Sequence, residues 1–239
     1  MKTRLSVNIN KFALIRNSRE SNLPDLSKIA VDCEAFGAEG ITVHPRPDQR
    51  HIRYSDIPTL SALVKSEFNI EGYPSDSFIE LVLAAKPHQV TLVPDPPEVL
   101  TSNTGWDTIT NLNLLKEVIQ RFKEAGIRVS LFLDPDPRFI EGAAKTGTDR
   151  IELYTGNYAL EYTLSREKAI TPHIHASELA LNLGLGLNAG HDLNLQNLAF
   201  YRESVVGLLE VSIGHALVCD ALYFGLENTI QMYLHKLNS

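Results

Sequence analysis

The chain returns again and again to one pattern: a short, β-branched apolar run that stops at a polar residue able to do chemistry. Ile41-Thr42-Val43 runs into His44-Pro45-Arg46, Phe68-Asn69-Ile70 into Glu71, and Ile151 into Glu152. Leu5-Ser6-Val7 runs into Asn8-Ile9-Asn10-Lys11, Leu185-Gly186-Leu187 into Asn188-Ala189-Gly190-His191, and Val211-Ser212-Ile213 into Gly214-His215. Between successive runs lies enough chain for a helix, so the sequence reads as repeated strand–helix units. Strands are expected at about 4–10, 40–44, 68–73, 89–94, 127–133, 150–155, 185–189 and 210–214. Eight parallel strands with crossover helices close into a (β/α)8 TIM barrel, whose functional residues gather at the C-terminal strand ends. The pattern predicts an α/β barrel enzyme.

The length of 239 residues suits one such barrel, a single catalytic domain over 1–239 without a second domain, linker or low-complexity tract. Runs such as Gln89-Val90-Thr91-Leu92-Val93 and Val129-Ser130-Leu131-Phe132-Leu133 are read as continuously apolar, as for parallel strands covered on both faces. Pro24-Asp25 is expected to open the first helix and Gly37 to end it; Pro74-Ser75-Asp76 opens another, ended by Lys86-Pro87. The longest helical pattern runs from about Thr108 to Ala125 and stops at Gly126. Gly37, Gly126 and Gly147, each just ahead of a strand, suit left-handed helix caps.

A net charge of −7 argues against a nucleic-acid or membrane surface, and no apolar stretch approaches a bilayer span. Met1-Lys2-Thr3-Arg4-Leu5 enters a strand almost at once, which leaves no expectation of a signal peptide. Two cysteines, Cys33 and Cys219, are expected as free thiols in helices, which suits a cytoplasmic location.

The loop His44-Pro45-Arg46-Pro47-Asp48-Gln49-Arg50-His51 follows a buried strand. Its histidines and arginines suggest a cationic, proton-transferring surface for a phosphorylated substrate. Glu71, a carboxylate at the mouth of an apolar barrel, should have a raised pKa and act as general base or acid, unless it pairs with Arg46 or a lysine. Glu152 has the same two readings. Asn188-Ala189-Gly190-His191-Asp192 and Ile213-Gly214-His215-Ala216 follow the last two strands, where such barrels hold phosphate on backbone N–H groups. His173-Ile174-His175 lies in a helical region and is not expected to bind metal; His88 precedes strand 4 and reads as structural. Pro94–Trp106 and Asn10–Ser21 are candidate lids.

These motifs resemble the pyridoxine 5′-phosphate synthase family, which closes the pyridine ring in de novo vitamin B6 synthesis. The resemblance runs through Ser6-Val7-Asn8-Ile9, Leu14-Ile15-Arg16-Asn17-Ser18-Arg19, Gly40-Ile41-Thr42-Val43-His44, Arg50-His51-Ile52 and Asn69-Ile70-Glu71. It continues through Thr91-Leu92-Val93-Pro94, Val129-Ser130-Leu131-Phe132, Ile151-Glu152, Thr155-Gly156-Asn157-Tyr158-Ala159 and both Gly-His segments. It implies condensation of 3-amino-2-oxopropyl phosphate with 1-deoxy-D-xylulose 5-phosphate, releasing phosphate and water. It assigns His44 and Glu71 as proton acceptors, His191 as proton donor and Glu152 as transition-state stabiliser. Asn8, Arg19, Gly214 and His215 match contacts to the amino ketone phosphate; Arg46, His51 and Thr101 match contacts to the sugar phosphate. Asn10 and Lys11 fill the pair of positions after strand 1. The resemblance implies two phosphorylated small-molecule substrates, no nucleic-acid or membrane partner, and a homo-oligomer. It implies no metal, flavin or nicotinamide cofactor, because the overall change is condensation and elimination.

The chain departs from the family's usual residues at Asn10-Lys11 (more often Asp-His), Asp192 (commonly Gly), Tyr154 (often His) and Ser212 (often Asn). The Asp192 N–H can still donate to phosphate, provided its carboxylate points away or is neutralised. Two other readings stay open: a barrel aldolase using Lys11 as a Schiff-base amine, and a non-catalytic relative that binds phosphorylated metabolites.

Overall fold

Each apolar run pairs with the next as a parallel strand. β1 (Arg4–Asn8), β2 (Gly40–Val43), β3 (Glu67–Gly72), β4 (Gln89–Leu92), β5 (Arg128–Leu133), β6 (Arg150–Tyr154), β7 (Gly186–Gly190) and β8 (Leu208–Ile213) follow one another around a closed barrel. β8 returns to β1 with Arg4 opposite Glu210 and Ser6 opposite Ser212. A computed structural model gives this architecture and describes residues 2–95 and 104–238. The expected (β/α)8 barrel is present, and no strand bound lies more than two residues from its sequence expectation.

Around the barrel lie α1 (Asn10–Asn17), α2 (Leu26–Ala35), α3 (Asp56–Leu63), α4 (Asp76–Ala85), α5 (Leu112–Glu124) and α6 (Pro137–Thr146). They are followed by α7 (Gly156–Tyr162), α8 (Arg166–Asn182), α9 (Leu198–Ser204), α10 (His215–Phe224) and α11 (Leu226–Asn238). Their starts are chemically marked. Asp25, Ser75, Asp136 and Ser165 each accept a hydrogen bond from a first-turn N–H that the helix itself leaves unpaired. Gly37, Gly126 and Gly147 leave their helices with positive φ, as expected of left-handed caps.

Two helical expectations are corrected. The helix opening at Asp25 is the second, because the chain turns into α1 directly after β1. Only Phe12, Ala13 and Arg16 are buried in α1, too brief a stripe to stand out in the sequence. The longest helix is α8, at 17 residues, not the pattern beginning near Thr108. There the Asp107 carboxylate accepts from the N–H groups of Ile109 and Thr110, turning the chain and delaying α5 to Leu112.

The barrel interior also differs from the expectation of an apolar core. One face of each strand, including Leu5, Val7, Ile41, Val43, Phe68, Ile70, Val90 and Leu92, packs into the hydrophobic core shared with the helices. The alternate residues face the lumen, and most of them are polar, with Phe132 and a few glycines as exceptions. Ser6 and Thr42 hydroxyls meet at 2.7 Å, Asn69 donates to Thr42, and Thr91 donates to Asn69. Lower down, Glu67 gathers Arg4, Arg128 and Arg150, while Arg128 also donates to Gln89. The runs read as continuously apolar therefore alternate, with small polar residues inside and aliphatic ones outside.

Candidate active site

The C-terminal ends of the strands are laced together by short side chains. Asn8, ending β1, donates from Nδ2 to Glu71 Oε2 at 3.4 Å and accepts the Asn10 N–H at 3.0 Å. Asn10 in turn accepts the His44 N–H at 2.9 Å, which ties the start of α1 to the end of β2. Glycine at two positions lets side chains crowd the mouth. A Cβ on Gly190 would lie 2.3 Å from Glu152 Oε1, and one on Gly214 would lie 3.1 Å from the Asn8 Cβ. Asn8, Glu71, Glu152, Gly190 and Gly214 thus face one space, drawn from β1, β3, β6, β7 and the residue after β8.

Electrostatics set the protonation states there. Burial, then the charges of Glu210 and Asp95, push the Glu71 carboxyl up to about 8. Burial and the neighbouring Glu71 push Glu152 well up too. At neutral pH these carboxyls hold protons that isolated carboxylates would have lost. The raised pKa expected for Glu71 is therefore present, and its partner is Asn8; Arg46 pairs with buried Asp95 at 3.6 Å.

His44 is buried, and that burial, with His51 and the Arg46 and Arg50 cations, lowers its pKa to about 3. His51 falls to about 4, first through burial and then through Arg46, Lys11 and Arg50. Both rings are neutral at pH 7, so the positive charge of this loop resides on its arginines. This corrects the expectation that the histidines add to it. His51 Nδ1 accepts the Ile52 N–H at 3.0 Å, which places its remaining ring proton on Nε2. Around His44 and Arg46 lies a small cavity also lined by Tyr54, Tyr73, Phe78 and Asp95.

His191 follows β7 with φ of +95°, a backbone conformation uncommon for a side chain of its size. Its Nδ1 lies 2.6 Å from Asp192 Oδ2, and its ring meets Tyr154 edge-on at 5.4 Å. The Asp192 N–H donates to the Thr155 hydroxyl at 3.2 Å. Its carboxylate thus turns back onto the histidine.

The remaining sequence candidates are placed unequally. Lys11 lies in the first turn of α1, near enough to His51 for its charge to act on that ring. His215 opens α10 directly after Gly214, with Cys219 Sγ 3.7 Å from its Nε2. Arg19 is exposed beyond the end of α1, and no side-chain hydrogen bond or ion pair from it to the other candidates is seen among the described residues. Thr101, and most of the Pro94–Trp106 candidate lid, lie outside the described residues. His173 is buried against the Tyr201 hydroxyl, whereas His175 two positions on is exposed. His88 Nδ1 accepts the Phe68 N–H at the opposite end of the barrel, the structural part expected of it.

Sequence reasoning missed Asp95, Thr155 and Glu210 as parts of this neighbourhood. Thr155, which immediately follows β6, stands within the polar strand end after Ile151 and within the family likeness, yet the sequence reading gives it no part in the site. Glu210 sits mid-strand, where only the register of β8 against β1 reveals a lumen position.

The family described as pyridoxal phosphate biosynthesis protein PdxJ matches residues 5–239. The pyridoxine 5′-phosphate synthase of Parabacteroides distasonis is 61% identical over 237 residues, covering 99% of this chain and 100% of that protein. That of Flavobacterium johnsoniae is 59% identical over 235 residues, covering 98% and 99%. Among solved structures, 3-keto-L-gulonate-6-phosphate decarboxylase from Vibrio cholerae superposes with a TM-score of 0.67 at 8% identity, covering 100% of this chain and 98% of the other. Phosphoribosylanthranilate isomerase from Thermotoga maritima gives 0.62 at 14%, covering 99% and 98%. At such identities the two structures speak for the barrel alone. The full-length sequence matches say more: this chain belongs to the PdxJ family of pyridoxal phosphate biosynthesis proteins.

Proposed function

We propose that this protein condenses 3-amino-2-oxopropyl phosphate with 1-deoxy-D-xylulose 5-phosphate to pyridoxine 5′-phosphate, releasing phosphate and water. The observation that carries the reading is one rim of strand ends holding proton carriers of opposite readiness: neutral His44, linked through Asn10 and Asn8 to Glu71, and carboxyls Glu71 and Glu152 that retain protons at neutral pH. Closing a pyridine ring by imine formation and repeated elimination requires protons to move in both directions at each stage. The neutral imidazole of His44 has a lone pair free to accept one, and a substrate phosphate arriving beside it offsets the burial and arginine charges that disfavour its protonated form. Glu71 accepts one only once ionised, and a substrate ammonium arriving beside it favours that form.

In this reading His44 and Glu71 take protons, His191 returns one to a leaving oxygen, and Glu152 stabilises charge that develops between them. Arg46 and His51, with Thr101, receive the sugar phosphate. Asn8, Gly214 and His215, with Arg19, receive the amino ketone phosphate; Asn10, Lys11 and Asp192 border these contacts. His215 heads α10, so the backbone N–H groups of that first turn suit a phosphate dianion. The Asp192 N–H takes part only if phosphate competes with Thr155 for it.

The residues test this directly. Glu71→Gln and His191→Asn should each fold and be protected against heat by both substrates, yet form product at least about 100-fold more slowly. Near-wild-type turnover by either variant removes that residue from the mechanism.

Cys33 and Cys219 are free thiols, and no described helix is long and apolar enough to cross a membrane; both fit a cytoplasmic enzyme. Leu222 and Tyr223 on α10 are 74% and 86% exposed beside Phe224, which suits a homo-oligomer that covers this face.

A further inference from the structure

We propose that Thr155 and Asp192 are positioning residues that hold His191 in its proton-donating pose. This rests on the donor role given to His191 above. Thr155 is wholly buried one residue beyond β6, and its hydroxyl spans the two peptide groups on either side of His191. It donates to the Gly190 carbonyl at 2.7 Å and accepts the Asp192 N–H at 3.2 Å. The Thr155 N–H reaches the same Gly190 carbonyl at 3.2 Å. From the other side, the His191 N–H donates to the Ser212 carbonyl of β8 at 3.4 Å. Histidine rarely adopts a φ of +95° unaided, and here β6 and β8 clamp it from both flanks.

Asp192 fixes the ring as Thr155 fixes the backbone. A carboxylate accepts only, so at 2.6 Å from Nδ1 it requires the proton on that nitrogen. Nε2, at the opposite side of the ring, then carries the proton that moves. It takes one from substrate or solvent to form the imidazolium and gives it to the leaving oxygen, which restores the neutral Nδ1–H form. The ring cannot rotate without breaking the Asp192 bond. This is the arrangement by which an acid–base histidine is held in one tautomer by a neighbouring carboxylate. The Thr155 hydroxyl and the Asp192 carboxylate bond the His191 segment and ring, and in this role they act through His191.

Three variants and one spectrum decide the matter. Thr155→Val keeps the shape and removes the hydroxyl, and should lower kcat about 10- to 100-fold while leaving KM within about threefold. Thr155→Ser restores the hydroxyl and should return kcat to within about threefold of wild type. Asp192 is partly solvent-exposed, so Asp192→Asn should fold. Its amide can donate to Nδ1, and nitrogen-15 spectra of labelled histidine should show His191 leaving the Nδ1–H form held in the wild type. Wild-type kcat in Thr155→Val, equal impairment of Thr155→Ser and Thr155→Val, or an unchanged His191 tautomer in Asp192→Asn would each overturn the proposal. The tautomer is read without turnover, so it survives any failure of Thr155→Val to fold. If instead His191→Asn itself turns over normally, the donor assignment falls, and the clamp remains only as a way of shaping the loop.

Discussion

Replacing Glu71 by Gln exchanges a carboxyl pushed up to about 8 for an amide that cannot ionise. The unfolded chain releases the corresponding proton near about 4.3. Between those values the native state holds a proton that the unfolded state has lost, so native stability falls as pH rises through the window. An isolated, fully buried group would contribute about 1.4 kcal/mol per pH unit there, or nearly 3 kcal/mol from pH 5 to 7. Glu71 keeps some solvent contact and shares its titration with Glu152, which brings the expected difference down to about 1–2 kcal/mol. Urea unfolding of wild type and Glu71→Gln at both pH values reads it directly. The variant should gain about 1–2 kcal/mol on the wild type between pH 5 and 7. Parallel pH dependences in the two proteins would show that Glu71 is ionised in the native state and refute the electrostatic account of this site.

The pH dependence of kcat/KM should rise with pH toward about 8, because Glu71 accepts a proton only when ionised, and Glu71→Gln should lose that limb with its activity. His44, neutral down to about 3, should add no acid limb between pH 5 and 7. Gly190→Ala puts a methyl 2.3 Å from Glu152 Oε1 and should destabilise the fold by about 1–3 kcal/mol, read by the urea midpoint, while cutting turnover. Leu222→Lys with Tyr223→Asp on α10 should lower the molar mass seen in light scattering if that exposed face is an oligomer contact. Borohydride added during turnover should leave Lys11 unmodified; a trapped adduct there would revive the aldolase alternative.

Much of this was legible because strand ends are local. Hydrophobic runs with abrupt polar stops marked six strands, continuous apolar runs marked β4 and β5, and the stops brought Asn8, His44, Glu71, Glu152 and His191 to one rim. What escaped needed three dimensions. The polar lumen was hidden because Ser6, Thr42, Thr91 and Ser130 are small enough to pass within a β-branched run. α1 was hidden because it buries so few residues. The neutrality of His44 and His51 depends on burial and on converging arginine charges, which no spacing reveals. Arg19 remains exposed past α1, where family likeness placed it in the site but this chain's contacts do not. Asp192 illustrates the opposite case. Its identity was plain in the sequence, yet only the geometry shows its carboxylate turned onto His191.

The most direct measurement incubates the purified protein with 3-amino-2-oxopropyl phosphate and 1-deoxy-D-xylulose 5-phosphate, without added metal or nucleotide. Pyridoxine 5′-phosphate is followed by its fluorescence and released phosphate by a coupled assay. The two should appear in equal amounts, and Glu71→Gln and His191→Asn should abolish both signals together. If wild-type protein forms no product while both substrates protect it against heat, the substrate choice around Asn10, Lys11 and Asp192 has changed. If it forms none and gains no protection, the site is wrongly assigned, though the barrel stands.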